Sequence, residues 1–253
     1  MSDDDRILAL GLMSGTSCDG IDAALVETDG RASISRGAWL TEPYDSTFQA
    51  RLRSVLGGRG DVAAVERELT ERHARAVGDL LGRNEIAPEQ VGVIGFHGQT
   101  ILHEPERRRT WQIGDGAWLA ELTGIDVVHD FRGADVAAGG QGAPFAPLFH
   151  AALAAALPRP LAVLNVGGVA NVTWIGDEGV DGDLVAFDTG PGNAMLNDWA
   201  LRHTGQPVDI DGVLARTGRV DAGVLAALLT SSYFDRPAPK SLDRDAFDPA
   251  PLQ

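Results

Sequence analysis

Two glycine-bearing turns, GLMSGTSCDGID at residues 11–22 and NVGGVANVT at residues 165–173, each join a pair of short apolar stretches, and the element order around the first recurs around the second. A chain that forms strand, turn, strand, strand and helix twice over has two similar apolar faces to bury, so two related α/β lobes are the expected architecture. Residues 6–13 read as a buried strand ending at Ser14 and Gly15, and residues 21–27 as its neighbour. Asp29 and Gly30 form a two-residue hairpin signal, which places a third strand over residues 32–40. Asp61 can cap a helix in which Val62, Val65, Leu69, Ala76, Val77 and Leu80 share one side, with Gly82 as its C-terminal cap. A fourth strand is expected over residues 91–96, a short helix over 116–122 and a fifth strand over 125–129.

A glycine- and proline-rich stretch at 139–147 and an alanine-rich helix then lead to Pro158, Arg159 and Pro160, where a hinge is expected. Strands over residues 161–166, 171–175 and 184–188 follow, and a helix from about 193 to 203 stops at Gly205. The expected lobes are therefore residues 1–157, with the first glycine hairpin, and residues 158–253, with the second. The second copy has no counterpart of the strands at 91 and 125, so the second lobe is expected to be incomplete.

Charge and cysteine content narrow the partners. A formal net charge of −15 repels a phosphate backbone, and the cluster Arg107, Arg108 and Arg109 is too small to reverse that field. Cys18 is the only cysteine, the first residues are acidic, and no apolar run approaches the roughly 20 residues of a membrane span. A soluble, cytoplasmic protein with neither nucleic acid nor membrane as partner is expected.

The first turn gathers Ser14, Thr16 and Ser17 among glycines, so hydroxyls and backbone N–H groups can surround an anionic oxygen while an acidic residue holds Mg²⁺ through water. A plain hairpin is the competing reading, because glycine and serine populate turns anyway. Gly167 and Gly168 occupy the equivalent place in the second half, and two such hairpins facing each other across a cleft would hold a nucleotide's phosphates from both sides. Asp188 stands at the end of an apolar strand just before a helix, where a rigidly held carboxylate can serve as a general base, or merely cap a turn. His97 follows the fourth strand, and Asp130 and Arg132 follow the fifth, at the strand ends where α/β sheets bind ligands. An ordinary hydrogen-bonded histidine and a structural ion pair are the alternatives there. No group has zinc-ligand spacing, so no structural metal is expected.

Seven blocks in one order, GLMSGTSCDGID (11–22), GFHGQT (95–100), TWQIGD (110–115), DFR (130–132), GGQGAP (139–144), NVGG (165–168) and FDTGPGN (187–193), resemble the anhydro-N-acetylmuramic acid kinase family. The resemblance implies a duplicated actin-like (ribonuclease H-like) α/β fold, shared with hexokinase and Hsp70, whose two lobes close over ATP and substrate. It implies that Gly15, Thr16, Ser17, Cys18, Asp19, Gly20, Ile21 and Asp22 form the ATP-binding turn, with Mg²⁺ accompanying the nucleotide, and that Asp188 is catalytic. Arg132 is then expected to pair with the lactyl carboxylate of the sugar, and His97, Gln99 and Gln112 to bond its hydroxyls or N-acetyl group. The implied reaction opens 1,6-anhydro-N-acetylmuramic acid with water and phosphorylates it to N-acetylmuramic acid 6-phosphate, in peptidoglycan recycling. The family's glycine-rich adenosine-binding block and a further acidic residue at the substrate are not found before Gln253. A non-catalytic sugar- or nucleotide-binding module and a two-carboxylate glycoside hydrolase are the competing readings. The expected partners are the anhydro-sugar and ATP, with a homodimer as the assembly left open.

Overall fold

The hairpin signal at Asp29 and Gly30 is realised in the computed structural model, which describes residues 6–15, 17–31, 33–177 and 183–242. Strands β1 (Ile7–Ser14), β2 (Gly20–Thr28) and β3 (Ile34–Pro43) pair antiparallel in sequence order, with Ser14 opposite Ile21 at the first turn. Their alternation sends Leu10, Leu12, Ile21, Ala23 and Leu25 to one face, where they meet Phe48 and Leu52 of α1 (Ser46–Ser54) and Leu69 and Leu80 of α2 (Val62–Arg83). Each large side chain buried this fully contributes about 1.5–3 kcal/mol.

Asp61 caps α2 as expected, its carboxylate accepting from the Ala64 N–H at 3.1 Å. Gly82 does not end the helix. Asn84 donates through Nδ2 to the Leu80 carbonyl at 2.7 Å, satisfies the last turn, and lets the helix run on to Arg83. α1 has its own cap, Asp45, which accepts from Phe48 N–H.

Strand β4 (Val91–Glu104) is much longer than residues 91–96. Its first part lies between β1 and β6 (Val127–His129), parallel to both. Beyond Gly98, whose φ of +67° turns the strand, it pairs antiparallel with β5 (Arg109–Ile113) instead. The strand expected over 125–129 is thus β6, and β5 lies where no strand was expected. The sheet order is β3-β2-β1-β4-β5, with β6 also on β4. Two helices complete this unit: α3 (Gly116–Thr123), capped by Asp115 and ended by a left-handed Gly124, and α4 (Gly133–Ala138).

The chain divides into two compact units, residues 1–145 and 146–253. The division falls before α5 (Ala146–Leu153) rather than at Pro158, because Ala151 of α5, with Ala154 just after it, clusters with Ile175 in the second unit. There β7 (Leu161–Val166), β8 (Val169–Ile175) and β9 (Leu184–Pro191) form an antiparallel sheet in that order. Helix α6 (Asn193–Thr204) follows and ends at a left-handed Gly205, as expected. Short helices α7 (Val213–Thr217) and α8 (Ala222–Leu228) come next. The order of three antiparallel strands followed by helix therefore occurs in both units.

Candidate functional site

The β1–β2 turn is anchored from beneath. Ser14 Oγ, buried, donates to Gln99 Oε1 at 2.6 Å and lies 2.8 Å from the Tyr44 hydroxyl, while Tyr44 N–H donates to the Asp19 carbonyl at 2.8 Å. Burial raises the Tyr44 phenol well above its ordinary pKa, so it stays a neutral hydrogen-bonding group. Cys18 N–H closes the turn on the Gly15 carbonyl at 3.0 Å, with Cys18 in the left-handed region at φ 55°. Its thiol is buried, as is Ile21, so neither side chain reaches a ligand and each can offer only its backbone. A Cβ on Gly20 would lie 2.6 Å from the Glu42 carbonyl oxygen, which explains the glycine by packing. Asp22 accepts from the Thr41 hydroxyl at 2.6 Å on the exposed face. The side chains presented outward are Ser17 and Asp19, joined by a 2.7 Å hydrogen bond from Ser17 Oγ. Thr16 lies outside the described residues. Gln99 is fully buried, with Nε2 donating to the Thr100 carbonyl at 3.3 Å, so it ties β4 to β1 and does not line a ligand site.

The first unit's groove is built at the Gly98 corner of β4, along β5 and at the end of β6. His97 and Gln112 line a cavity of about 320 Å³ together with Thr110, Trp111, His129 and Asp130. Gln112 donates through Nε2 to Thr110 Oγ1 at 2.8 Å and Thr100 Oγ1 at 3.1 Å, which leaves its carbonyl oxygen for a ligand. His97 is half-buried, and its Nδ1 lies 2.8 Å from the Gly98 carbonyl, which fixes that nitrogen as the donor. Its Nε2 accepts from Arg132 Nε at 3.0 Å. Burial, and then the Arg132 charge, lower the His97 pKa, so the neutral ring is the working form. Arg132 also donates through Nη1 to the Gly142 carbonyl and lies 5.7 Å over the Phe145 ring. Of its nitrogens only Nη2 has no acceptor among the described residues. Asp130, left-handed at φ 56°, accepts from Gly133 N–H at 3.1 Å and caps the turn into α4. Helix α2 braces the groove: Glu66 accepts from Gly114 N–H and Thr70 Oγ1 from Asp115 N–H, each at 3.0 Å. Thr110, Trp111 and His129 were missed from sequence, although period-2 alternation puts Thr110 beside Gln112 on one face of β5.

In the second unit, Asp188 lies on β9 opposite Asn171 of β8. Its Oδ2 accepts from Leu242 N–H at 2.8 Å, its N–H donates to the Lys240 carbonyl at 3.0 Å, and its carbonyl accepts from the Tyr233 hydroxyl at 2.6 Å. Lys240 Nζ holds the strap together, donating to the Tyr233 and Phe234 carbonyls at 3.0 and 3.2 Å. Asp188 is half-buried, and its Oδ1 has no hydrogen-bond donor among the described residues. The β7–β8 turn is partly used within the fold: Gly168 O accepts from Gly192 N–H at 2.9 Å and Ala194 N–H at 3.2 Å, and Gly167 O from Asn193 N–H at 2.7 Å. Gly167 and Gly168 thus receive the first amides of α6, and what they can offer an anion is their N–H groups. Tyr233 and Lys240 were missed because a strap is recognised by what it covers, not by its own pattern.

A family model for anhydro-N-acetylmuramic acid kinase matches residues 7–253. The chain is 60% identical over 241 residues to the anhydro-N-acetylmuramic acid kinase of Paramagnetospirillum magneticum, covering 95% of this chain and 67% of that protein. It is 57% identical to the protein of the same name from Rhodospirillum rubrum, covering 98% and 66%, and 54% identical to that from Acidiphilium cryptum, covering 94% and 66%. The chain thus spans about two thirds of the length of these relatives. Among solved structures, a reductive activator for corrinoid, iron-sulfur protein overlays 78% of this chain and 33% of its own with a TM-score of 0.42 at 10% identity, a likeness too loose to bear on the fold. No helix among the described residues is long and apolar enough to cross a membrane. With a family match over nearly its whole length and relatives at this identity, the chain belongs to the anhydro-N-acetylmuramic acid kinase family.

Proposed function

We propose that this protein is an ATP-dependent kinase that opens 1,6-anhydro-N-acetylmuramic acid with water and phosphorylates it at O6. The observation that carries this reading is the match over residues 7–253 to a family whose curated members bear that name. Asp188 is the base. Its carboxylate is fastened through Oδ2 while Oδ1 keeps no donor, so it can take a proton from water as that water attacks the anomeric carbon. The C1–O6 bond breaks, the electron pair stays on O6, and O6 attacks the γ-phosphorus with ADP as leaving group. The proton held by Asp188 then passes to solvent, which closes the balance.

MgATP supplies the phosphoryl group when bound. Of this chain's residues, Gly15, the Ser17 hydroxyl and the turn's backbone N–H groups fit phosphate oxygens, and the exposed Asp19 fits a water on Mg²⁺. The N–H groups of Gly167 and Gly168 can likewise hold an anionic oxygen. In the first unit, the Gln112 carbonyl oxygen bonds a polar group of the sugar, His97, with both ring nitrogens engaged, shapes the groove, and Arg132, which holds His97 Nε2, keeps Nη2 for a sugar oxygen. The glycoside hydrolase and bare binding-module readings have no specific observation in their favour. Incubating the protein with the anhydro-sugar, with and without ATP, and following the sugar by mass spectrometry tests the assignment. N-acetylmuramic acid 6-phosphate should form only with ATP. Ring opening without ATP, or binding of both ligands with no product, would refute it.

A further inference from the structure

Among the charged groups around the groove, Arg108 has no partner among the described residues, whereas Arg107 and Arg109 lie 3.6 and 3.8 Å from Glu104. It sits at the bend between β4 and β5 with a left-handed backbone at φ 53°. With Leu102, Arg109, Thr110, Trp111, Gly133 and Val136 it lines a hollow of about 270 Å³, in which Arg109 is the guanidinium already drawn to Glu104. Thr110 and Trp111 also line the cavity that contains His97 and Gln112, so the two hollows form one trough along β5. One end of that trough presents His97, Gln112 and His129, with the Asp130 carboxylate tied to Gly133 N–H. The other presents the half-exposed Trp111 indole and an unpaired guanidinium.

Arg132 was the expected partner of the sugar's carboxylate, but two of its three nitrogens already donate to His97 and Gly142. Arg108 has all its donors available. A guanidinium matches a planar carboxylate with two parallel hydrogen bonds, and a concave, partly apolar setting strengthens that match.

We propose that Arg108 is the specificity-determining residue of a second subsite in this trough, where it receives the carboxylate of the sugar's lactyl arm. The proposal rests on the sugar-site reading above and adds the group that reads the acidic arm. Arg132, on this view, is chiefly a positioning residue that orients His97.

Calorimetric binding of 1,6-anhydro-N-acetylmuramic acid and of 1,6-anhydro-N-acetylglucosamine, which lacks the lactyl arm, tests it. Arg108→Gln should weaken the first by roughly 10-fold or more and leave the second unchanged, since only the first carries the carboxylate that a charge-assisted pair would hold. Arg108→Lys should recover only part of the loss, and Arg108→Asn, which tolerates the left-handed backbone, should behave like Gln. Arg107→Gln should alter neither affinity. An Arg108→Gln protein that binds the lactyl sugar as tightly as wild type overturns the proposal, as does an equal loss for both sugars. A wild-type protein that binds neither sugar overturns the sugar-site reading and the proposal with it, so the two failures are told apart by the wild type alone.

Discussion

At the residue scale, three holds fix Asp188, through its N–H, its carbonyl and Oδ2, and only Oδ2 involves the side chain. Asp188→Asn keeps the Leu242 contact and removes the base, so turnover should fall by roughly 10² or more with sugar affinity retained. Steady-state rates within a few-fold of wild type would remove Asp188 from the chemistry. From its own neighbours Asp188 reads as readily as a turn cap; what singles it out is the FDTGPGN block's resemblance to the family, and the structure adds an Oδ1 with no donor among the described residues. Cys18, Ile21 and Gln99 belong to blocks that mark the family, yet pack inward, and a block read without its burial pattern cannot separate residues that touch a ligand from those that shape the turn. His73 should make the fold's stability depend on pH on the acid side. It is fully buried against Phe96, its Nδ1 is 2.8 Å from the Leu69 carbonyl, and burial lowers its pKa to about 4. Below pH 6.5 the unfolded chain binds a proton at this site that the folded chain refuses, so stability is full above 6.5 and falls as pH drops towards 4. The limiting slope is about 1.4 kcal/mol per pH unit. His97, also lowered, adds loss of the same sign. His73→Phe should flatten that slope in urea titrations from pH 7 to 4.5, and an unchanged slope would assign the acid sensitivity elsewhere.

At the element scale, the corner in β4 decides where the groove forms. Gly98 has φ +67°, and a Cβ there would lie 2.3 Å from the Ile113 carbonyl oxygen, a backbone atom that cannot move without breaking β5. Gly98→Ala should therefore cost at least about 2 kcal/mol, from left-handed strain plus overlap, and should loosen sugar binding because His97 is the preceding residue. A denaturation midpoint close to wild type would show that the corner has room to relax. The same corner explains which elements could be read in advance. Helix α2 was legible from its buried stripe and Asp61 cap, and β1 to β3 from apolar alternation around a hairpin dipeptide, because each signal is local. β5 was not. It begins on the last of three arginines, turns Thr110 and Gln112 towards the cavity and leaves Trp111 half-exposed, so its own sequence offers little apolar burial and its stability comes from pairing with β4. α1 could have been found, since Asp45 stands three residues before Phe48 and Leu52 continues the buried face one turn on.

At the scale of the whole molecule, the two units differ in what holds them. The first has a continuous core in which Leu10, Ile21, Phe48, Leu69, Ile94, Phe96 and Leu119 are each at most 1% exposed. In the second, the described core cluster is Ala151, Ala154 and Ile175, with Leu161, Val163 and Leu184 partly buried against it. Two alanines and an isoleucine bury far less apolar surface than that set, while Leu164 and Val166 of β7 remain 63% and 51% exposed. Backbone pairing alone does not make up the difference, because a hydrogen bond contributes only about 1 kcal/mol net and each ordered residue loses a comparable amount of entropy. Local opening should therefore come first in the second unit. In native-state hydrogen exchange, the amides of β7 to β9 should exchange at least about 10²-fold faster than those of β1, β2 and the first part of β4, with the Asp188 amide among the fast set. Adding the anhydro-sugar should raise protection near His97 and Gln112 in proportion to occupancy, because a ligand that binds only the folded groove stabilises it by mass action. Equal protection across β1 to β9 in the unliganded protein would show that the second sheet does not depend on the small cluster around Ile175.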